Sequence, residues 1–209
     1  MRVLELFSGT KSITKYYLRD RNTVVVSVDI LGCNNPTHIA DILKWNYKSA
    51  YPPGHFDIIW ASPPCTEYSK AKTTSPRNLD LADSIVKQTL RIIQYFKPKW
   101  WYIENPADGG MLRHRPFMQS FNKYINICCY CRYGTPYRKQ TNIWSNKTGL
   151  CLKMCTKETP CESRLRNNGI HESLAQSGRH SLYPERYGDR TKLSERHAIP
   201  QKLLRVLLK

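Results

Sequence analysis

Residues 57–70 read DIIWASPPCTEYSK, and this stretch sets the architecture. Asp57-Ile58-Ile59-Trp60-Ala61 is a short apolar, β-branched and aromatic run between a polar start and a proline pair, which predicts a buried strand rather than an amphipathic helix. Pro63 and Pro64 fix their own φ and push the residue before each out of the helical region. Cys65 is therefore expected on a stiff, extended turn beyond the strand's carboxyl end, the edge at which open α/β sheets bind their ligands. A cysteine buried as a small hydrophobe has no need of such a mount, so Cys65 is the candidate nucleophile.

Upstream, Arg2-Val3-Leu4-Glu5-Leu6-Phe7 predicts a first strand, followed by Ser8-Gly9-Thr10 and a helix over residues 11–19. Strand, glycine turn and helix together set backbone N–H groups against a ligand, although one glycine alone is a weak signal. A second strand, Thr23-Val24-Val25-Val26-Ser27-Val28, ends at Asp29, where a nucleotide-binding βαβ unit places an acid on the ribose hydroxyls. Ile39-Ala40-Asp41-Ile42 reads as a short third strand, whose acid either bonds an adenine amino group or begins a turn.

Downstream, residues 70–77 form a polar, basic segment without periodicity and read as a mobile loop. Leu81, Ile85, Thr89, Ile92, Ile93 and Phe96 recur at helical spacing as a core face, with Asp80 or Asp83 as the cap and Pro98 as the stop. Trp100-Trp101-Tyr102-Ile103 is a further buried strand that delivers Glu104-Asn105-Pro106 beside Cys65. Residues 113–124 are expected to be helical, and residues 125–133 and 141–145 to form a strand pair. Periodicity is then lost over residues 146–190, and an amphipathic helix closes the chain over residues 194–209, starting near Ile199-Pro200.

The chain has 209 residues, enough for one domain with a small appendage. Its 33 Lys+Arg against 16 Asp+Glu give a formal charge of +17, and the pI of about 9.7 points to a polyanionic partner, nucleic acid before an anionic membrane surface. There is no run of membrane-spanning length, and MRVLELFSG lacks the long apolar stretch of a signal peptide. A reducing compartment is expected, so the eight cysteines call for thiol chemistry, metal binding or burial rather than disulfides. Cys151, Cys155, Cys161 and His171 lie in basic, turn-rich sequence with almost no core. They are either a structural zinc set or loosely packed thiols, whereas Cys128, Cys129 and Cys131 are expected as core or edge residues of a strand.

The ordered set Leu6-Phe7-Ser8-Gly9, Asp29, Asp41, Pro63-Pro64-Cys65, Glu104-Asn105, Tyr133-Gly134-x-Pro136 and Ala198-Ile199-Pro200 resembles the C5-type DNA cytosine methyltransferases. It is most similar to the small methylases of phages and large DNA viruses. The resemblance covers residues 1–146 and 190–209. It implies an α/β, Rossmann-like, S-adenosylmethionine-dependent methyltransferase fold with a mostly parallel seven-stranded sheet and a small irregular insert. Residues 1–145 and 191–209 are then the catalytic domain, and residues 146–190 stand in the position of the target-recognition region.

By the same resemblance Cys65 is the nucleophile that adds to carbon 6 of a flipped cytosine, and Glu104 the acid at ring N3. Phe7, Ser8, Gly9, Thr10, Asp29, Ile30, Asp41, Ile42 and Pro63 contact the cofactor. DNA is the implied partner, with RNA or tRNA as the alternative within the class and a catalytically degenerate nucleic-acid-binding module as the alternative outside it. The setting is intracellular, the cytoplasm or nucleus of a host. The chain departs from the pattern where Lys11-Ser12 replaces two glycines, and where Lys139 and Thr141 fall on two arginine positions; Arg138 is the expected substitute in a supporting role.

Overall fold

The computed structural model of the chain describes residues 1–69, 72–73, 75–107, 111–171 and 197–209. Seven strands make one sheet: β1 (Arg2–Leu6), β2 (Val24–Asp29), β3 (His38–Ile39), β4 (Ile58–Ala61), β5 (Trp100–Pro106), β6 (Ile125–Cys129) and β7 (Gln140–Ser145). They are ordered β3-β2-β1-β4-β5-β7-β6. The first five are parallel, and β7 runs antiparallel between β5 and β6, as the resemblance implied. The order reverses between β1 and β4, the switch point at which a crevice opens outside the strand ends.

Alternation along the strands divides the core in two. One face carries Val3, Ile58, Trp60, Tyr102 and Ile143 and is covered by α1 (Ser12–Tyr17) and α5 (Gln201–Leu207) through Ile13, Tyr17, Leu203, Leu204 and Leu207. The other carries Leu4, Ile59, Trp101 and Trp144 and is covered by α3 (Leu79–Phe96) through Val86, Ile92 and Phe96. A further short helix, α2 (Tyr47–Ala50), packs Tyr47 against Phe96 at 5.9 Å between ring centroids. Among the described residues no helix is long and apolar enough to cross a membrane.

Several local expectations change. The cap of α3 is Asn78, whose side chain accepts from Leu81 N at 3.1 Å, rather than Asp80 or Asp83; Leu81 is exposed instead of core. Residues 113–124 form 3-10 turns, Met111–His114 and Pro116–Tyr124, because Pro116 breaks any continuous α-helix. Ser194, the expected start of the last helix, lies outside the described residues.

Asp83 is freed from capping by its burial. It accepts from the Tyr68 hydroxyl at 2.9 Å and is gripped by Arg115 through Nε at 3.0 Å and Nη2 at 2.7 Å. Tyr68 stands three residues after Cys65, so this network pins the loop beside the nucleophile. Arg77 laces the same loop, donating to the carbonyls of Glu67 (2.7 Å) and Ser69 (2.8 Å). The segment read as a mobile loop is thus tied at both ends, although Lys70, Ala71 and Thr74 lie outside the described residues. Asp83→Ala strands a buried phenol and a guanidinium and should cost about 3 kcal/mol; Asp83→Asn, which still accepts from Tyr68, should cost less. Urea denaturation checks both, and equal losses would mean that the pairing with Tyr68 contributes nothing.

Candidate active site

Ala61 stands opposite both Leu6 of β1 and Ile103 of β5. Beyond it, Ser62 N donates to Leu6 O at 3.3 Å, and Asn105 Nδ2 donates to Pro63 O at 3.0 Å in a buried contact. The proline mount is therefore fastened to a neighbouring strand on each side. Cys65 itself leaves the expected extended conformation: at φ −97° and ψ −3° it opens a 3-10 turn, Thr66–Tyr68.

Phe7, Ser8, Gly9, Thr10, Pro63, Cys65 and Glu104 line a single cleft of about 260 Å³. Behind the glycine turn, Asp29 accepts from Gly9 N at 2.8 Å and from Leu31 N at 2.9 Å. Ile30 is exposed at the end of β2. Asp41 accepts from Leu43 N at 3.0 Å and starts a turn, and Ile42 is core; neither lines this cleft.

Glu104 is buried and accepts two bonds on Oε1, from the Tyr130 hydroxyl at 3.2 Å and from Lys139 Nζ at 3.4 Å. Lys139 also lies 4.8 Å above the Tyr130 ring. Burial, then the Glu104 charge, pushes the Tyr130 phenol well up, so that it remains a neutral donor. Burial likewise pushes the Cys65 thiol up; Glu104 adds to the effect and Lys139 opposes it.

Arg138, the expected substitute in a supporting role, is not among the residues that line the cleft, whereas Lys139 is. Arg138 is exposed and directs Nη2 to Gln140 Oε1 at 3.4 Å. Sheet parity gives the reason: Glu104 pairs with Ile143, so positions 139, 141 and 143 share its face while 138 shares the other. Tyr130 was not singled out from sequence, yet its even numbering with Asn126, opposite Ile143, and Cys128, opposite Thr141, signals the same face.

Glu5 was also missed. It is buried and accepts from Ile13 N (2.9 Å), Thr14 N (3.0 Å) and Thr14 Oγ1 (2.6 Å), capping α1 from inside β1. Ser12, where a glycine was expected, accepts from Ile199 N at 3.0 Å and anchors the carboxyl-terminal segment.

Of the predicted zinc set, Cys155, Cys161 and His171 come together, but with Cys131 in place of Cys151. The four ligating atoms lie within 4.8 Å of one another. Cys151 is exposed because the Lys153 backbone, bonded to Cys129 N (3.0 Å) and to the Tyr133 hydroxyl (2.8 Å), holds residues 151–155 along the hairpin. Four extended residues separate Cys151 from Cys155 by about 13 Å, too far to share an ion.

A parallel α/β sheet with a cysteine turn and a buried acid over its switch point defines a Rossmann-like fold of the methyltransferase type. A family model described as C-5 cytosine-specific DNA methylase matches residues 1–133. A frog virus 3 (isolate Goorha) protein described as "Probable DNA (cytosine-5)-methyltransferase" is 31% identical over 180 residues, 80% of each chain. The chain belongs to the C-5 cytosine-specific DNA methylases. The fold is also similar to the crystal structure of a "putative DNA modification methyltransferase" encoded within an E. coli prophage, with TM-score 0.50 and 19% identity over 69% of this chain and 46% of that one.

The two charges beside Cys65 should move its thiol in opposite directions. Glu104→Gln removes the repulsion and shifts the midpoint of Cys65 alkylation to lower pH, whereas Lys139→Met removes the favourable cation and shifts it to higher pH. Peptide-resolved mass spectrometry of alkylation against pH reads both, and shifts of one sign would refute the electrostatic account.

Proposed function

We propose that this chain methylates carbon 5 of cytosine in DNA through a covalent adduct of Cys65. What carries the reading is the cleft that joins Cys65, Glu104 and the Gly9 turn. Carbon 5 of cytosine is a poor nucleophile until a thiolate adds to carbon 6 and an acid offsets the charge at ring N3. Cys65 adds, and Glu104, held by Tyr130 and Lys139, serves N3. Once carbon 5 has taken its methyl group, a base removes the carbon 5 proton and the Cys65 thiolate is expelled. Carbon 6 is shielded within the duplex stack, so the base must be flipped into the cleft at a cost of a few kcal/mol.

The residues present fit S-adenosylmethionine. The Ser8 hydroxyl lines the cleft, buried and without a partner among the described residues, and Phe7 offers it apolar surface. When bound, the cofactor supplies an electrophilic methyl group. Phe7, Gly9, Thr10 and Asp29 would hold it, with Asp29 fixing the turn through Gly9 N. Residues 1–145 and 191–209 act as the catalytic domain and residues 146–190 as the DNA-facing insert, inside a cell where DNA and cofactor meet.

Labelled cofactor incubated with separate DNA and RNA pools should give 5-methylcytosine from DNA; label confined to RNA would overturn the substrate. Cys65→Ser should lower turnover by at least about three orders of magnitude while cofactor binding persists. DNA carrying 5-fluorocytosine should form a denaturation-resistant adduct with the wild-type chain, and methylation without any adduct would exclude the covalent route. The +17 charge predicts that log affinity for duplex DNA falls linearly with log salt while cofactor affinity barely responds. Salt-insensitive DNA binding would contradict this account.

A further inference from the structure

Cys129, Cys131, Cys155 and Cys161 form a small buried cluster distinct from those on the two faces of the sheet, with only Met154 packed against it among the described residues. Beyond that cluster, the segment from Cys151 to His171 sets half-buried Leu152 against the sheet face under α5. Leu165 is exposed, and α4 (Glu162–Arg166) contributes only Ser163 to the interior. A segment so poor in apolar area is held only weakly by hydrophobic burial, and three thiols with an imidazole are poor substitutes for leucines.

The donors themselves are disposed for a metal. Cys155 Sγ and His171 Nε2 are 3.8 Å apart, and all four ligating atoms lie within 4.8 Å. Around a tetrahedral zinc with Zn–S of about 2.3 Å, sulfurs stand about 3.8 Å apart, so closure needs side-chain shifts of about 1 Å. Three thiolates and a neutral imidazole around a divalent ion carry one net negative charge, which Arg164, with Nη1 4.0 Å from Cys155 Sγ, offsets.

The backbone around the cluster is already fixed. Arg164 donates to the carbonyls of Thr156 (2.6 Å) and Gly169 (2.8 Å), and Arg132 donates to that of Pro160. Arg164 is thus committed to the fold of the segment instead of being free for a DNA phosphate.

We propose that Cys131, Cys155, Cys161 and His171 bind one zinc ion, and that this ion locks the 151–171 segment onto the hairpin that positions Glu104. Three ligands come from the segment and one from the turn after β6, so the metal is a crosslink between them. Cys131 follows Tyr130, which donates to Glu104, and Ser163 Oγ bonds the Pro136 carbonyl at 3.0 Å, three residues before Lys139. The ion therefore secures both ends of the 130–139 stretch. Tyr130 and Lys139 are the positioning residues through which it acts.

The wild-type chain, purified in reducing buffer without chelator, should contain one equivalent of zinc. X-ray absorption should give three sulfurs at about 2.3 Å and one nitrogen at about 2.0 Å. Cobalt substitution should produce thiolate charge-transfer bands and the visible bands of a tetrahedral ion. Cys151→Ser should keep the metal, while Cys131→Ser and His171→Ala should lose it. Should those variants fail to fold, the wild-type metal content and ligand shell still decide the matter. Metal-free wild-type protein, a Cys155–Cys161 disulfide in its place, or loss of zinc on Cys151→Ser would overturn the site. The positioning role is read without any methylation assay: chelation should move the pH profile of Cys65 alkylation upward, toward that of Lys139→Met. A profile unchanged by complete zinc removal would overturn that role.

Discussion

The bond from Asn105 Nδ2 to the Pro63 carbonyl, buried and 3.0 Å long, is the contact on which the candidate site depends. It joins two residues 42 apart in sequence and fixes the cysteine turn of one parallel strand to the strand that carries the acid. Ala61 opposite Ile103 sets the register, so Glu104 follows directly on the last residue of β5 that pairs with β4, and Cys65 stands four residues beyond the same level of β4. A slip of one residue would turn Glu104 to the opposite face, beneath α3. The prolines contribute rigidity, and the carbonyl of the first accepts the Asn105 bond. Neither device is catalytic, yet together they decide where the thiol and the carboxyl stand.

The parts of this arrangement that were legible in the sequence are those written in short-range patterns. Strands rich in β-branched and aromatic residues, the double proline and the lone Gly9 turn are local signals, and they gave the sheet, the switch point and the two central side chains. The position of Lys139 was legible too, though only through parity. Counting by twos from Ile143 puts Lys139 on the Glu104 face and Arg138 off it, and the preference for arginine at that site came from the family pattern rather than from the pleat. Chemical likeness suggested Arg138; geometry selects Lys139. Asp83 was read as a helix cap because acids often are, but an aspartate that meets Tyr68 and Arg115 from distant segments is defined only by tertiary packing.

The first turn shows how a departure from a family pattern can be accommodated. Lys11 occupies a left-handed conformation, φ 58°, where glycine would be unstrained. Its side chain donates to Asn35 O at 2.6 Å, and Ser12 accepts from Ile199 N. A pair of glycines would offer neither contact. The strain at Lys11 is thereby offset by bonds that fix the turn to the β2–β3 loop and to the carboxyl-terminal segment. The carboxylate of Glu5, set among the N–H groups at the start of α1, holds the same turn from below. These bonds link residues 8 to 187 positions apart, beyond the reach of any window-based reading of the chain.

Electrostatics within the cleft join the two central residues into one unit. The thiol of Cys65 is pushed up by burial first and by Glu104 second. The same carboxylate that suppresses the thiolate is the group proposed to share a proton with ring N3 of the substrate. Once that proton lies between them, the negative charge facing Cys65 is diminished and the repulsion that raised the thiol falls with it. Lys139, paired with Glu104 at 3.4 Å, continues to favour the thiolate from the other side.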